Sequence, residues 1–243
     1  MTRITVILPT YNEVENLTQI TTELWSLSFS DLNIVIVDDG SPDGTGELAE
    51  QISARNPGKM DVIHRQKKLG LGSAYIAGFK FAFQQNAEII VQMDSDFSHS
   101  PSYLPGFLEH ITRNELVIGS RYIEGGSLDD RWGMGRKLLS RFGNSYARAI
   151  LKLPIHDCTG GFRVWRNDVL EKMPLEVIRS EGYVFQIEMV FVAHRLGFKI
   201  IESPIYFEDR RSGQSKMTLR IQLEAAFRVW QILYLHRGLE ALI

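Results

Sequence analysis

Two aspartates one residue apart, Asp94-Ser95-Asp96, follow the apolar run Ile89-Ile90-Val91-Gln92-Met93. Carboxylates that close repel one another unless a cation lies between them. Hard oxygen ligands select Mg2+ or Mn2+, and a metal held by one or two carboxylates can neutralise a diphosphate as it leaves. Ser98 and His99 are near enough in sequence to add ligands, although a loop histidine needs no such role. A second acidic pair, Asp38-Asp39, ends the run 34–37. It suits a metal or the donors of a nucleobase, with Asp39 at the turn better placed for a base; an ordinary acidic turn explains it equally. Arginine forks grip phosphate oxygens and lysine adds a point charge. Arg210, Arg211 and Lys216 make a basic loop around Gly213 and Ser215, and Arg121 follows another short apolar run. Solvated surface charge is the alternative for all four. Arg136 and Ser140, four residues apart, share a helix face and could hold a second phosphate. Gln186 and Glu188 interrupt an apolar helix, either as site residues or as inward groups satisfied by backbone.

Apolar spacing supplies the scaffold for these groups. Segments 4–8 (ended by Pro9), 34–37, 62–64, 89–93 and 116–119 are short and mostly rich in β-branched residues, the pattern of strands buried on both faces. Between them, Leu17, Ile20, Leu24 and Leu27 recur at helical spacing, with Asn12 as a cap and Glu15 three residues on. Segments 47–55 and 70–85 read as further helices. Strand–helix alternation implies right-handed crossovers and a mainly parallel sheet, on which ligands sit at the carboxyl ends of the strands. Tyr11/Glu13, Asp38/Asp39, Asp94/Asp96 and Ser120/Arg121 all fall there. The glycine-rich dinucleotide fingerprint is missing after the first strand, which disfavours a nicotinamide site. The second half predicts helices over 136–151, 183–196 (stopped by Gly197) and 218–243, a strand over 200–207, and a loop at 157–163 entering another strand. With no linker, repeat or low-complexity tract, the expectation is a catalytic domain, 1–217, carrying a C-terminal helical extension, 218–243, that is not an independent domain.

Composition narrows the function classes. The chain has 243 residues, 44% hydrophobic and 23% charged, with a net charge of −2. That is ample for a core without disulfides or a structural metal, and it lacks the basic excess that bulk binding of nucleic acid requires. Cys158 is alone, so neither an intrachain disulfide nor a cysteine zinc site can form, as suits a reducing compartment. No signal-like apolar run opens the sequence, and no stretch approaches about 18–20 uncharged apolar residues, so no transmembrane helix is expected.

The strings Pro9-Thr10-Tyr11-Asn12-Glu13, Asp38-Asp39-Gly40-Ser41-Pro42-Asp43-Gly44-Thr45, Asp94-Ser95-Asp96-Phe97-Ser98-His99 and Gly119-Ser120-Arg121-Tyr122 resemble family 2 of the glycosyltransferases. Segments 157–163 and 182–189, with Arg210…Ser215-Lys216, narrow the resemblance to dolichyl- or polyprenyl-phosphate mannosyltransferases. Ser95 departs from the family pattern, where alanine is common. The resemblance implies an α/β, type-A glycosyltransferase fold, with a mainly parallel Rossmann-like sheet flanked by helices. It implies GDP-mannose as donor, Mg2+ or Mn2+ as cofactor and a polyprenyl or dolichyl phosphate as acceptor. Matched position by position, Pro9, Tyr11, Glu13, Val37 and Asp39 fall on nucleoside-binding positions. Asp94, Ser95 and Asp96 form the acidic metal motif, with Ser98 at a further ligand position. Arg121, Arg210 and Lys216 match donor-phosphate contacts, and Arg136 and Ser140 join Arg121 around the lipid phosphate. The resemblance implies Asp96 and Arg121 as the catalytic residues.

A phosphate acceptor is already anionic and needs no general base. It needs cations against the donor's repulsion and in-line placement behind the sugar's C1; one displacement then inverts the anomeric centre. The acceptor lies at a bilayer, so peripheral attachment on the cytoplasmic side is expected. Helices 136–151 and 218–243 are the candidates for contact. The second carries Phe227, Trp230, Ile232, Leu233, Tyr234 and Leu235 among Arg220, Arg228 and Arg237; packing on the sheet or on a transmembrane partner subunit is the alternative. Rival functions are a UDP-glucose-dependent or polysaccharide-directed transferase, a nucleotidyltransferase, and a non-catalytic nucleotide-binding membrane adaptor.

Overall fold

Strand β1 (Ile4–Thr10) buries Ile7 on one face and Ile4, Val6 and Leu8 on the other. Strand β2 (Leu32–Asp38) does the same, with Val35 and Val37 opposite Ile34 and Ile36. Strands buried on both faces require helices above and below them, and the computed structural model, which describes residues 2–209 and 219–239, supplies both layers. The remaining elements are α1 (Val14–Ser26), α2 (Thr45–Arg55), β3 (Met60–His64), α3 (Leu71–Gln84), β4 (Ile89–Gln92), α4 (Leu104–Ile111), β5 (Leu116–Ser120) and β6 (Ser127–Leu128). They continue with α5 (Met134–Leu151), β7 (Arg163–Arg166), α6 (Asn167–Lys172), α7 (Gly182–Arg195), β8 (Ile200–Pro204), β9 (Tyr206–Phe207) and α8 (Leu219–Leu235). Core residues of α1, α2 and α4 cover one sheet face; those of α3, α5, α6, α7 and α8 build the core on the other.

The main sheet runs β3-β2-β1-β4-β7-β5-β8. Every neighbouring pair is parallel except β4–β7 and β5–β7. Strand β7 lies antiparallel in the middle, so its N-terminal end arrives at the edge where the parallel strands end. The loop 157–162 is thereby delivered beside the residues that follow β4 and β5.

Several expectations are corrected. Strand β1 continues through Pro9, which lies past the last residue paired with β4, Ile7 opposite Gln92; a missing N–H is tolerated where a ladder has ended. Asn12 does not cap α1. It takes a left-handed φ of 63°, and the donors at the helix start are satisfied from the loop after β2: Asn12 N donates to Ser41 Oγ, Glu13 N to Thr45 Oγ1 and Val14 N to Asp43 Oδ2. The strand expected over 200–207 breaks at buried Ile205, and β9 turns away to pair with β6. The C-terminal helix stops at Leu235, and residues 236–238 form a turn. Its inner face places Val229, Ile232 and His236 in the interior, each 2% exposed.

Arg163, fully buried at the start of β7, fastens the incoming loop. Its guanidinium donates to the carbonyls of Gly160, Cys158 and, across the layer, Gln186. Burial lowers its pKa to about 10, still charged at neutral pH. Truncating it removes the donor from the Gly160 and Cys158 carbonyls, at about 1–3 kcal/mol for each one left unsatisfied, and the Gln186 carbonyl keeps only its helical bond. Arg163→Met is therefore expected to cost at least about 2 kcal/mol in denaturant unfolding, read as a lower midpoint with an unchanged slope.

Candidate active site

The acidic motif sits where β4 ends. Asp94 accepts from the Tyr75 hydroxyl at 3.1 Å, and its backbone N–H donates to His99 Nδ1 at 3.1 Å. Burial, then the Asp94 charge, pushes the Tyr75 phenol well up, which keeps it a donor. Burial lowers the His99 pKa; with Nδ1 accepting, that ring is neutral and its Nδ1 is not free for a metal. Asp96 Oδ1 accepts from the Ser98 N–H at 3.0 Å and from its hydroxyl at 2.5 Å, so Ser98 orients Asp96. Ser95 Oγ donates to the Pro9 carbonyl at 3.1 Å and ties the end of β4 to that of β1. Among the described residues no three His, Cys, Asp or Glu side chains gather into a metal cage. Two carboxylates at the mouth of a cavity fit a Mg2+ or Mn2+ ion that takes its other ligands from substrate oxygens and water.

Asp94 faces two adjoining recesses. The smaller is lined by Pro9, Tyr11, Glu13, Asp39, Ser95 and Asp96 together with Lys68, so most of the expected nucleoside set converges there. Lys68 Nζ stands 3.5 Å over the Tyr11 ring, a cation that no spacing pattern marks. Asp39 is largely committed within the chain. Its Oδ1 accepts from Leu69 N and pairs with Arg65 at 2.8 Å, while Oδ2 accepts from Gly70 N. It shapes the 65–70 loop. The Val37 side chain is fully buried in the core on one sheet face, so only its backbone can face a ligand.

The larger recess, about 500 Å3, is walled by Asp94, His99, Arg121, Glu181, Tyr183 and Gln186, among others. Arg121 is clamped there. Its Nε and Nη2 donate to the two oxygens of Asp157 at 2.7 Å each, Nη2 also reaches Thr159 Oγ1, and Arg121 N donates to Asp157 Oδ2. Burial opposes charge on both partners, and the pairing overrides it: Asp157 is held below the usual carboxylate range and Arg121 above its own. Among the described residues Nη1 has no partner and remains for an anion. Glu181 on the opposite wall accepts from Gly72 N at 2.9 Å, and burial raises its pKa. Segment 157–163 carries the family resemblance, but neither it nor Glu181 shows by spacing that Asp157, Thr159 and Glu181 meet here, because tertiary contacts bring them together.

Arg136 lies two aromatic rings from Arg121, through Trp132 and Phe207, and Ser140 one ring away, through Tyr122. Arg136 stacks 3.5 Å over Trp132 and pairs with Asp209 at 2.9 Å. Ser140 shares a 2.6 Å hydrogen bond with the Tyr122 hydroxyl. The Phe207 ring lies 5.1 Å from the Arg121 guanidinium and 5.8 Å from the Trp132 ring. Arg210, Arg211 and Lys216 lie outside the described residues.

Comparison with known proteins agrees with this geometry. Residues 5–173 match the family described as glycosyl transferase family 2. The polyprenol monophosphomannose synthase of Mycolicibacterium smegmatis is 42% identical over 228 residues, 93% of this chain and 85% of that protein. The undecaprenyl-phosphate mannosyltransferase of Micrococcus luteus is 42% identical over 241 residues, 98% of each chain. Among solved structures, the mannosyltransferase PcManGT of Pyrobaculum calidifontis, in complex with GDP-Man and Mn2+, superposes with a TM-score of 0.63 at 19% identity, over 93% of this chain and 63% of that longer one. Glucosyl-3-phosphoglycerate synthase of Mycobacterium tuberculosis, in complex with Mn2+, UDP and glucosyl-3-phosphoglycerate, gives 0.66 at 19% identity, over 99% and 82%. These two share the fold, an α/β type-A glycosyltransferase architecture. With the acidic pair, the clamped arginine and the strand order all in place, the chain belongs to glycosyltransferase family 2.

Proposed function

We propose that this enzyme transfers mannose from GDP-mannose to a polyprenyl or dolichyl monophosphate, with inversion, at the cytoplasmic surface of a membrane. The observation that carries the reading is the meeting at Asp94 of two adjoining recesses, one lined by Asp96 and the other by the clamped Arg121, in a chain 42% identical over nearly its whole length to enzymes named for polyprenyl-phosphate mannosyl transfer. A Mg2+ or Mn2+ ion bound by Asp94 and Asp96 would neutralise the diphosphate and stabilise its departure. Pro9, Tyr11, Glu13 and Asp39 border the nucleoside, and Lys68 adds a cation beside it. The free Nη1 of Arg121 faces phosphate oxygens, and Arg210 and Lys216 are assigned to the donor phosphates. Arg136 and Ser140 receive the acceptor phosphate. No side chain has to remove a proton from it, so the protein's task is to screen two anions from each other and align them.

Incubating the purified protein with Mn2+, polyprenyl phosphate and labelled GDP-mannose or UDP-glucose, then extracting lipid, tests the reading. Label from GDP-mannose in the organic phase supports it; label from UDP-glucose alone overturns the donor. Asp96→Asn should lower turnover by on the order of 100-fold with an unchanged melting curve, and should weaken metal-dependent GDP binding.

Membrane contact has a structural basis in α5 and α8, which pack together: Trp230 Nε1 donates to the Tyr146 hydroxyl, which donates to the Ala226 carbonyl. Eight of the twelve large apolar side chains exposed among the described residues lie on these two helices, including Leu138 at 60%, Phe142 at 69% and Phe227 at 65%. Arg141 and Arg228 flank them. No helix among the described residues is long and apolar enough to cross a membrane, and this surface suits a helix pair lying in the interface. Deleting α8 would remove core residues, so point changes are the cleaner test. Each buried apolar side chain contributes about 1.5–3 kcal/mol, so the triple change of Leu138, Phe142 and Phe227 to Ser should reduce flotation with anionic vesicles at least about tenfold. Activity on a short, soluble acceptor should persist. Undiminished flotation would remove this face from the membrane.

A further inference from the structure

Behind the larger recess, three polar side chains form a directional relay. The Trp165 indole donates to Gln92 Oε1 at 3.2 Å, and Gln92 Nε2 donates to Gln186 Oε1 at 2.6 Å. Trp165 and Gln92 are fully buried and Gln186 is 2% exposed. An indole N–H can only donate. The Gln92 carbonyl must therefore face Trp165, and its NH2 must face Gln186. Gln186 must then present its own carbonyl to Gln92, which turns its NH2 the other way. One donor-only group thus sets the orientation of two amides in series.

That NH2 points to an open place. A Cβ built on Gly161 would stand 3.6 Å from Gln186 Nε2, 3.5 Å from Asp94 Oδ2 and 3.1 Å from His99 Cε1. All four residues line the larger recess, so the side chain missing at Gly161 leaves a niche between an amide donor and a carboxylate acceptor. Among the described residues nothing accepts from Gln186 Nε2. That nitrogen opens on the recess, and the niche can hold a ligand that accepts from it. A hydroxyl, that of water when the recess is empty and that of a sugar when it is filled, accepts from an amide and donates to a carboxylate. A phosphate oxygen has no proton for Asp94, and an ammonium has no lone pair for Gln186.

We propose that Gln186 is a specificity-determining residue that donates to a hydroxyl of the transferred hexose, held in one orientation by the positioning residues Gln92 and Trp165. The inference rests on the reading of this chain as a nucleotide-sugar transferase and adds which group recognises the sugar rather than the nucleotide. Gln186→Met removes the donor with little change of shape. Trp165→Phe, away from the recess, releases the constraint on both amides. With folding verified by thermal melting, both proteins are titrated with GDP and with GDP-mannose in the presence of Mn2+, and kcat/KM is measured for GDP-mannose and GDP-glucose.

Gln186→Met is expected to lower kcat/KM for GDP-mannose at least about tenfold and to shrink the mannose-over-glucose preference, while GDP affinity stays within about twofold. Trp165→Phe should move the preference in the same direction by a smaller factor. Equal loss of GDP and GDP-mannose binding, or an unchanged preference in both variants, would overturn the proposal. Should Gln186→Met fail to fold, an unchanged preference in Trp165→Phe overturns it alone. If the wild-type enzyme uses UDP-glucose instead, the donor reading fails separately, and the same comparison of UDP with UDP-glucose decides the role of Gln186.

Discussion

The ion pair between Arg121 and Asp157 is the interaction on which the site's shape depends. Arg121 follows β5, Asp157 precedes β7, and Glu202 on β8 accepts from the backbone N–H groups of both His156 and Asp157. Two carboxylates, Asp157 and Glu202, thus join three strands. Burying two charges costs several kcal/mol for each ion, and the pair persists where geometry and extra hydrogen bonds compensate. Here both Asp157 oxygens are occupied, Thr159 adds an acceptor, and the Arg121 backbone N–H closes the ring. The clamp fixes the loop carrying Gly160 and Gly161 against Asp94 and His99, and it leaves one guanidinium nitrogen turned to the cavity.

The reversed direction of β7 makes that clamp available. In an all-parallel sheet, the loop entering this strand would emerge at the opposite edge, away from Asp94. Inserted antiparallel between β4 and β5, the strand also carries Trp165 into the core, where its indole orients Gln92 and Gln186. Sheet topology is therefore coupled to recognition through a strand that touches no substrate. Helix α5 makes a similar connection on the other side. Arg136 and Ser140 face Asp209 and Tyr122 near the cavity, while Met134, Leu138 and Phe142, spaced by four, are exposed. One helix thus presents polar groups toward the cavity and apolar groups to the outside.

Much of this was legible in the sequence because a strand buried on both faces stops sharply. Polar residues after such runs mark the carboxyl edge, and Asp94, Asp96 and Arg121 were found that way. Four-residue β7, Arg-Val-Trp-Arg, carries no sign of its direction, so the arrival of Asp157 and Thr159 beside Arg121 was invisible. Asn12 looked like a cap because local spacing cannot reveal that Ser41, Asp43 and Thr45 supply the acceptors from another loop. Asp39 stood out as an acceptor for a base, yet Leu69, Gly70 and Arg65, about thirty residues on, already occupy most of it. The C-terminal helix carries apolar residues that packing and membrane contact explain equally from sequence; Val229 and Ile232 pack inward, while Phe227, Trp230, Tyr234 and Leu235 are exposed.

The central claim is a single displacement at C1 by an anionic acceptor aligned behind the departing diphosphate. It is tested most directly by the anomeric configuration of the lipid-linked product, read from the one-bond C1–H1 coupling in its NMR spectrum. The account predicts β-mannosyl phosphate from the α-linked donor. An α-linked product formed directly by the enzyme would require two displacements or a front-face path, and would contradict it.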